Sequence, residues 1–405
     1  MRAGLYGRAA ANGPAPISGG VKRRGVLALS SFSLGLGVAL AVLVAAAAAA
    51  LTVASSKGGA SAASASGSTQ TPEGPPATAK PSVRTRIVAM PKGSVGNATE
   101  RLTVTLSGPP APGSPHPTLS PSGYGSWKVY GNSWVFKSST SLLPCSSYHL
   151  TVPAGTTAAG DSALGSSRNV TLNVACPSTR GLQQALARLA YLPDSLLAAP
   201  HRRVPRGAIG RRDAAHLLYE PVAGTLRPNL AFAPPLSYGS FDNTTKGALM
   251  VFQEDHKLEP DGTPGPLTWQ KLLTAVAANY RNPKPYTFVT VTESLPETLE
   301  VHRGNRVVLS TPANTGVPGA ETQQGAFPIY ERLTSTTMVG TDPDGVKYDV
   351  PDVPWVNYFN GGDAVHGYER AGYGYPQSNG CVELPISTAQ TVFGMLRLGD
   401  MVVVS

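Results

Sequence analysis

Apolar and polar residues alternate with a period of two in several short runs between residues 101 and 174. In Arg101-Leu-Thr-Val-Thr-Leu106 every second position is apolar, and 127–130, 133–136, 148–152 and 170–174 repeat the rhythm. Successive side chains of a strand point to opposite faces, so each run predicts a strand with one buried face. Gly131-Asn132 separates two of the runs, and a two-residue connection of that composition predicts a hairpin turn. Short strands divided by Gly- and Pro-rich turns predict a β-sandwich over 83–176.

The period lengthens after residue 179. Leu182, Leu186 and Leu189 fall on one helical face, and helical spacing returns over 244–253. Asp261-Gly262 predicts a turn. A last helix starts after Gly265-Pro266 and runs to Tyr280, with proline in the first turn, where its missing N–H breaks no bond. Between the first two helices lies an irregular stretch with Arg202, Arg203, Arg206, Arg211 and Arg212. It reads as a solvated loop, with contact to an anionic polymer as the sharper alternative.

From 284 to 405 the pattern is again that of strands. Residues 286–292 form one, and 299–303 and 306–309 flank the turn Gly304-Asn305. Ser387 or Thr388 is placed to cap a short helix with Ala389, Val392, Phe393 and Leu396 on one face. Gly399 stops it, and 401–404 is a buried strand.

One apolar run has no period. Residues 26–54 carry no charge, follow Lys22, Arg23 and Arg24, and precede the next charge at Lys57. Roughly 20 apolar residues span a bilayer, and basic residues on one flank mark the cytoplasmic side. The expectation is a basic cytoplasmic tail (1–25), a membrane-spanning signal anchor (26–54) and everything beyond outside the cytoplasm. Thr52-Val53-Ala54 also fits a small-residue cleavage site, which leaves a secreted form open. The Ser/Ala/Gly- and then Pro-rich residues 55–82 read as a flexible linker.

Composition narrows the classes. Charged residues make up 14% of the 405, with 44 Gly and 37 Pro, which excludes a coiled coil. At 41% hydrophobic, the chain has enough apolar residues for real cores. The net charge of +9 is uneven: 26–283 hold 21 basic and 11 acidic residues, 284–405 seven and 13. A basic middle suits an anionic polymer, and export excludes nucleic acid as that partner. There are three cysteines. In an oxidising compartment Cys145 and Cys176, close together in one β-rich segment, are the natural disulfide pair, and Cys381 is left over.

Cys381 is the candidate for chemistry. A thiol attacks as thiolate and needs a base, for which histidine is suited near neutral pH. His366 lies 15 positions earlier, too irregular for one helix face but right for adjacent strands joined by the turn-rich loop 368–377. Gly380 lets a carbonyl approach the backbone, and the N–H groups around Gly380 and Cys381 are expected to form an oxyanion hole. One Cys and one His make at most half of a tetrahedral metal site. The acid-rich 342–352 lacks EF-hand spacing and reads as a solvated loop over the site.

Three resemblances follow from these residues. The strand pattern of 83–176 is similar to bacterial Ig-like modules. Leu182, Gln183, Leu186, Thr244, Ala248, Phe252, Gln253, Leu258, Asp261, Gly262, Gly265, Thr268, Trp269 and Leu272 resemble the three-helix peptidoglycan-binding domain, here over 179–280 with a long insert. His366-Gly367 followed by Ser378-Asn-Gly380-Cys381-Val382 resembles the L,D-transpeptidase catalytic domain, the YkuD-like fold, over 284–405. Asn314-Thr315-Gly316, Gly325-Ala-Phe327 and the run from Tyr358 to Gly362 extend that likeness.

The last resemblance implies Cys381 as nucleophile, His366 as base and the Gly367 carbonyl as its orienter. Ser378, Asn379 and Gly380 support the loop and oxyanion hole, and Tyr358 and Glu383 contact substrate. The implied reaction is acyl transfer from a tetrapeptide stem with loss of D-Ala, forming a 3→3 cross-link, with no metal or cofactor. Many members have His at the position of Asn379 and Arg at that of Glu383. A carboxylate beside the thiol would raise its pKa unless it pairs with a cation. An L,D-carboxypeptidase and a non-catalytic wall anchor are the alternatives. The expected architecture is multidomain: a β-rich YkuD-like β-sandwich with short helices, a three-helix peptidoglycan-binding domain, an Ig-like β-sandwich and one N-terminal transmembrane helix. The implied partners are peptidoglycan and the bacterial membrane, in the cell envelope.

Overall fold

A computed structural model describes residues 83–405 apart from 123, 124, 139, 140, 202 and 204. The expected basic tail, membrane helix and linker lie outside the described residues. Among the described residues no helix is long and apolar enough to cross a membrane.

Eight strands build the first domain: β1 (Ile87–Ala89), β2 (Ser94–Val95), β3 (Thr103–Leu106), β4 (Thr118–Ser120), β5 (Gly125–Tyr130), β6 (Ser133–Ser138), β7 (Ser147–Val152) and β8 (Arg168–Val174). They form two four-stranded sheets, β1-β3-β6-β5 and β2-β8-β7-β4. Strand alternation decides what is inside: Tyr148, Leu150 and Val152 of β7 are buried, while Ser147 and His149 are not. These residues join Val104, Leu106, Phe136, Leu172 and Val174 in one core between the sheets. A disulfide between Cys145 and Cys176 ties the approach to β7 to the exit from β8. The strands β1, β2 and β4 have three, two and three residues, too few to display a period in the sequence.

The second domain has α1 (Thr179–Arg188), β9 (Asp194–Ala198), α2 (Arg211–Tyr219), β10 (Gly224–Pro228), α3 (Asn243–Asp255) and α4 (Pro266–Ala277). The expectation of three helices with an irregular insert is therefore corrected. The insert holds a helix of its own, and its flanks pair as the antiparallel strands β9 and β10. The helix leaves little trace in the sequence because α2 buries only Ala214, Ala215 and Leu218, a short stripe beside arginines. All four helices share one core around Leu182, Leu186, Leu218, Phe252, Trp269 and Leu272. Gln183 and Gln253 are buried as connectors. Gln183 Nε2 donates to the Ser240 carbonyl and Thr245 Oγ1, both at 2.9 Å. Gln253 Nε2 donates to Asp261 Oδ1 while its Oε1 accepts from Gly262 N, both at 2.8 Å. Gly262 has φ +69°, a conformation that favours glycine in this turn.

The third domain comprises β11 (Thr287–Thr292), β12 (Thr298–Arg303), β13 (Arg306–Pro312), β14 (Gly325–Pro328), β15 (Glu331–Thr341), β16 (Lys347–Asn360), β17 (Asp363–Gly367), β18 (Val382–Leu384), α5 (Ile386–Met395) and β19 (Met401–Val404). One sheet has the order β13-β12-β11-β19-β14 and the other β15-β16-β17-β18. Val289, Val291, Leu299 and Val402 of the first pack with Val365, Val382 and Leu384 of the second and with Ala389 and Val392 of α5. Two local expectations are corrected. Helix α5 begins one residue before Ser387, with extended Pro385 at its cap position and no side-chain cap bond. The acid-rich 342–352 is the tip and ascending strand of a long β15–β16 hairpin. Its acids fit a strand because exposed and half-buried positions alternate along the start of β16.

Helix α3 lies directly on the catalytic domain. A Cβ added to Gly247 would fall 2.5 Å from the Gly399 carbonyl oxygen, so the two backbones touch. Beside this contact Arg397 Nη1 donates to Asp255 Oδ1 at 2.8 Å and Lys284 Nζ donates to the same oxygen at 3.0 Å.

Candidate active site

Strand periodicity assembles the site. Strands β17 and β18 run parallel, with Val365 opposite Val382, His366 opposite Glu383 and Gly367 opposite Leu384. Val365, Val382 and Leu384 point into the main core. The alternate positions therefore share the other face of the sheet: Ala364 and His366 on β17, Cys381 and Glu383 at and in β18. Cys381 packs there with Ala364, Tyr358, Val356 and Met338.

His366 is fully buried. Its Nδ1 lies 3.0 Å from the Gly367 carbonyl oxygen, which accepts the ring N–H. A neutral imidazole that donates from Nδ1 carries its lone pair on Nε2. That Nε2 is buried and has no hydrogen-bond partner among the described residues. Burial pushes the imidazole below its ordinary value, against the opposing effect of the Glu383 carboxylate. His366 is thus a neutral base with its accepting nitrogen unspent.

The turn that leads into Cys381 is held from three sides. Ser378 Oγ donates to the Cys381 carbonyl at 2.6 Å and accepts from Gly380 N at 3.2 Å. Gly380 has φ +113°, and a Cβ there would lie 2.6 Å from Asp363 Oδ1, so only glycine fits. Beneath, Val317 N donates to the Ser378 carbonyl at 2.8 Å and Ser378 N to the Thr315 carbonyl at 3.0 Å. Buried Glu297 fixes that lower segment, accepting from Thr315 N at 2.6 Å and Thr315 Oγ1 at 2.7 Å. The expectation that Gly380 N–H serves the oxyanion hole is modified, since Ser378 already engages it. Cys381 Sγ lies 3.8 Å from the Gly362 carbonyl.

Three expected site residues occupy places the sequence does not show. Glu383, expected to contact substrate, has a side chain that is 0% exposed and paired with Arg370, itself 4% exposed. Arg370 donates from Nε and Nη2 to the two Glu383 oxygens, each at 2.8 Å. The carboxylate in the strand that follows Cys381 is therefore matched by a cation. Burial alone would lower the Arg370 guanidinium, but Glu383 raises it above its ordinary value. Tyr358, also expected to contact substrate, is 1% exposed and walls the thiol from within. Burial, and next the Cys381 charge, push its phenol up. Asn379 donates from Nδ2 to Asp342 Oδ1, linking the turn before Cys381 to the tip of the β15–β16 hairpin.

Arg370, Asp342, Glu297 and Asp363 join the site without having been singled out by the sequence pattern. Only Arg370 leaves a signal there: it is the single basic residue in loop 368–377, and Glu383 needs a counter-charge.

With this geometry in place, comparison with known proteins defines the class. Residues 288–404 match the L,D-transpeptidase catalytic domain family, YkuD, and residues 229–272 match a peptidoglycan binding domain family. The catalytic domain of an Enterococcus faecium L,D-transpeptidase is 25% identical, covering 31% of this chain and 100% of that one, with a TM-score of 0.28. An L,D-transpeptidase from Mycobacterium smegmatis is 12% identical over 80% of this chain and 100% of that one, with a TM-score of 0.27. L,D-transpeptidase 3 from Mycobacterium tuberculosis, bound to a faropenem-derived adduct, is 13% identical over 79% and 97%, with a TM-score of 0.26. No curated protein sequence matches the chain. The chain thus carries an L,D-transpeptidase catalytic domain behind a peptidoglycan-binding domain, and peptidoglycan is the polymer these domains serve.

Proposed function

We propose that the chain forms 3→3 cross-links in peptidoglycan, with Cys381 as nucleophile and His366 as general base. The observation that carries this reading is the state of His366: Nδ1–H is fixed on the Gly367 carbonyl, and buried Nε2 keeps its lone pair. On the neighbouring strand end, Cys381 shares the same sheet face.

Nε2 takes the thiol proton, and the sulfur attacks the carbonyl carbon of the stem's third residue. The C–N bond to D-Ala breaks as imidazolium returns the proton to the leaving amine. A thioester remains on Cys381. The side-chain amine of a neighbouring stem then attacks it, His366 accepts the amine proton, and the thiolate leaves. The Gly367 carbonyl stabilises the transient imidazolium, as the third member of a triad does. N–H groups of the turn at 379–381 hold the oxyanion, with that of Gly380 shared with Ser378.

The non-catalytic anchor drew its support from Glu383 and Asn379. Arg370 neutralises the Glu383 carboxylate, which removes one of the two. An envelope location, with residues 26–54 as the anchor and the catalytic domain outside, completes the proposal.

The test is incubation of the chain from residue 55, and of its Cys381→Ala variant, with disaccharide-tetrapeptide, read by mass spectrometry. A Cys381-dependent dimer that has lost one D-Ala is the expected product. A tripeptide monomer would replace transfer by hydrolysis, the carboxypeptidase outcome. No product and no acyl-enzyme would return the chain to a wall anchor.

A further inference from the structure

The helical domain holds a cavity of about 980 Å³ that the catalytic reading does not use. Its walls come from α1, the arginine-rich segment, β9, α2 and the end of α4, so most of them lie outside the matched residues 229–272. Four arginines converge on it: Arg188 from α1, Arg203 and Arg206 from the arginine-rich segment, and Arg281 beyond α4. Among the described residues none of the four is ion-paired.

Arg188 bonds only to neutral oxygens, those of Pro205, Gly207 at 2.9 Å and Asn279 Oδ1 at 3.1 Å. Its Nε is buried with no hydrogen-bond partner among the described residues. Burial, and then the facing Arg281 cation, hold its guanidinium below the ordinary value. Asp194, the one acid in the lining, is 5% exposed and pairs with none of them. Arg203, Arg206 and Arg281 are exposed at the rim. Cations brought together without counter-charge repel one another, and a loop that only needed solubility would turn them apart. Between them the wall is mixed, with apolar Ala185, Leu192, Leu196 and Leu217 beside the polar Gln184, Ser195, Asn229 and Asn279.

A wall that mixes apolar and amide side chains under a cationic rim suits a ligand with small apolar side chains, peptide groups and more than one carboxylate. A phosphodiester polymer fits less well, because its charges repeat along a hydrophilic backbone and call for an open track. We propose that this cavity binds the carboxylate-bearing peptide stem of peptidoglycan, with Arg203, Arg206 and Arg281 taking the carboxylates and Leu192 and Leu196 the side chains. The inference rests on the peptidoglycan reading above. The insert then serves to hold peptide in a cavity none of whose lining residues belongs to the catalytic domain.

The experiment titrates the full chain carrying Cys381→Ala with free stem tetrapeptide, with the same peptide amidated at its carboxyl groups, and with poly(glycerol phosphate), by calorimetry. The acid form should bind at least tenfold more tightly than the amidated form. Adding Arg206→Ala and Arg281→Ala should weaken the acid form at least tenfold, and high salt should do likewise. Equal binding of acid and amidated peptides, or unchanged affinity in the double variant, would overturn the proposal, as would tighter binding of the phosphate polymer. Because binding is measured without the thiol, its failure counts against this proposal, while the absence of a Cys381-dependent product from the unsubstituted chain counts against the transpeptidase reading.

Discussion

Arg370 donates to both carboxylate oxygens of Glu383, directly opposite His366 in the parallel β17–β18 pair. Its Nη2 also donates to the Gln377 carbonyl at 3.0 Å, so one guanidinium joins loop 368–377 to the nucleophile strand. Charges this deeply buried lose much hydration, and the pair holds only while both members are present.

Arg370→Ala should therefore destabilise the catalytic domain by about 3–5 kcal/mol, because Glu383 is left buried and unpaired. Combining Arg370→Met with Glu383→Leu should recover most of that loss. Urea denaturation of the two variants measures it. A double variant as unstable as Arg370→Ala would show that the cost lies in the loop contacts and not in the stranded charge.

The rate of Cys381 acylation should fall in acid only below the ordinary histidine value of about 6.5. His366 is held below that value by burial, so it stays neutral and basic at pH 7 and protonates only as pH drops further. The linked stability has the same sign: it is fully present above the unfolded value and lost as pH falls through the folded one. Glu383→Gln removes an effect that raises His366, so it should move the acid limb lower still. A pH profile of single-turnover acylation reads both limbs. An acid limb above the ordinary value would contradict the buried neutral imidazole.

Gly380→Ala forces a side chain onto φ +113° and against Asp363. The turn must shift, and displacement of a nucleophile by about 1 Å can cost roughly 10²-fold in rate. Acylation should fall on that scale while tetrapeptide affinity changes little. Pre-steady-state mass spectrometry separates the two.

Ser378→Ala removes a hydroxyl that both donates to Cys381 and accepts from Gly380. Loss of those buried bonds should destabilise by about 1–3 kcal/mol. It also releases the Gly380 N–H, so the acylation rate should fall less than in Gly380→Ala. A larger loss would mean that the hydroxyl serves the chemistry and not the loop.

Reducing the Cys145–Cys176 disulfide should lower the stability of the first domain by about 2–4 kcal/mol. Acylation at Cys381 should be unaffected, since the two thiol systems lie in different domains. Thermal melting with and without reductant, beside the single-turnover assay, checks both halves.

Much of the fold is legible in the sequence because burial on one face leaves a period. Val104, Leu106, Leu150 and Val152 mark their strands, and Leu182 and Leu186 their helix. Helix α2 is not legible because alanines at 214 and 215 barely contrast with their surroundings. The β15–β16 hairpin reads as a loop because its exposed face carries acids, which strands show less often than loops. In the site, Cys381 and His366 stand out as residue types suited to one reaction. Arg370 does not, because a salt bridge across 13 positions depends on how the loop folds back.

The backbone contact between Gly247 and Gly399 has a mechanical consequence. With no side chain at either position, the backbones of helix α3 and the catalytic domain touch there, flanked by Met401 and Pro328, and Asp255, Lys284 and Arg397 form ion pairs beside the contact. A side chain at either position would wedge the helical and catalytic domains apart at this seam.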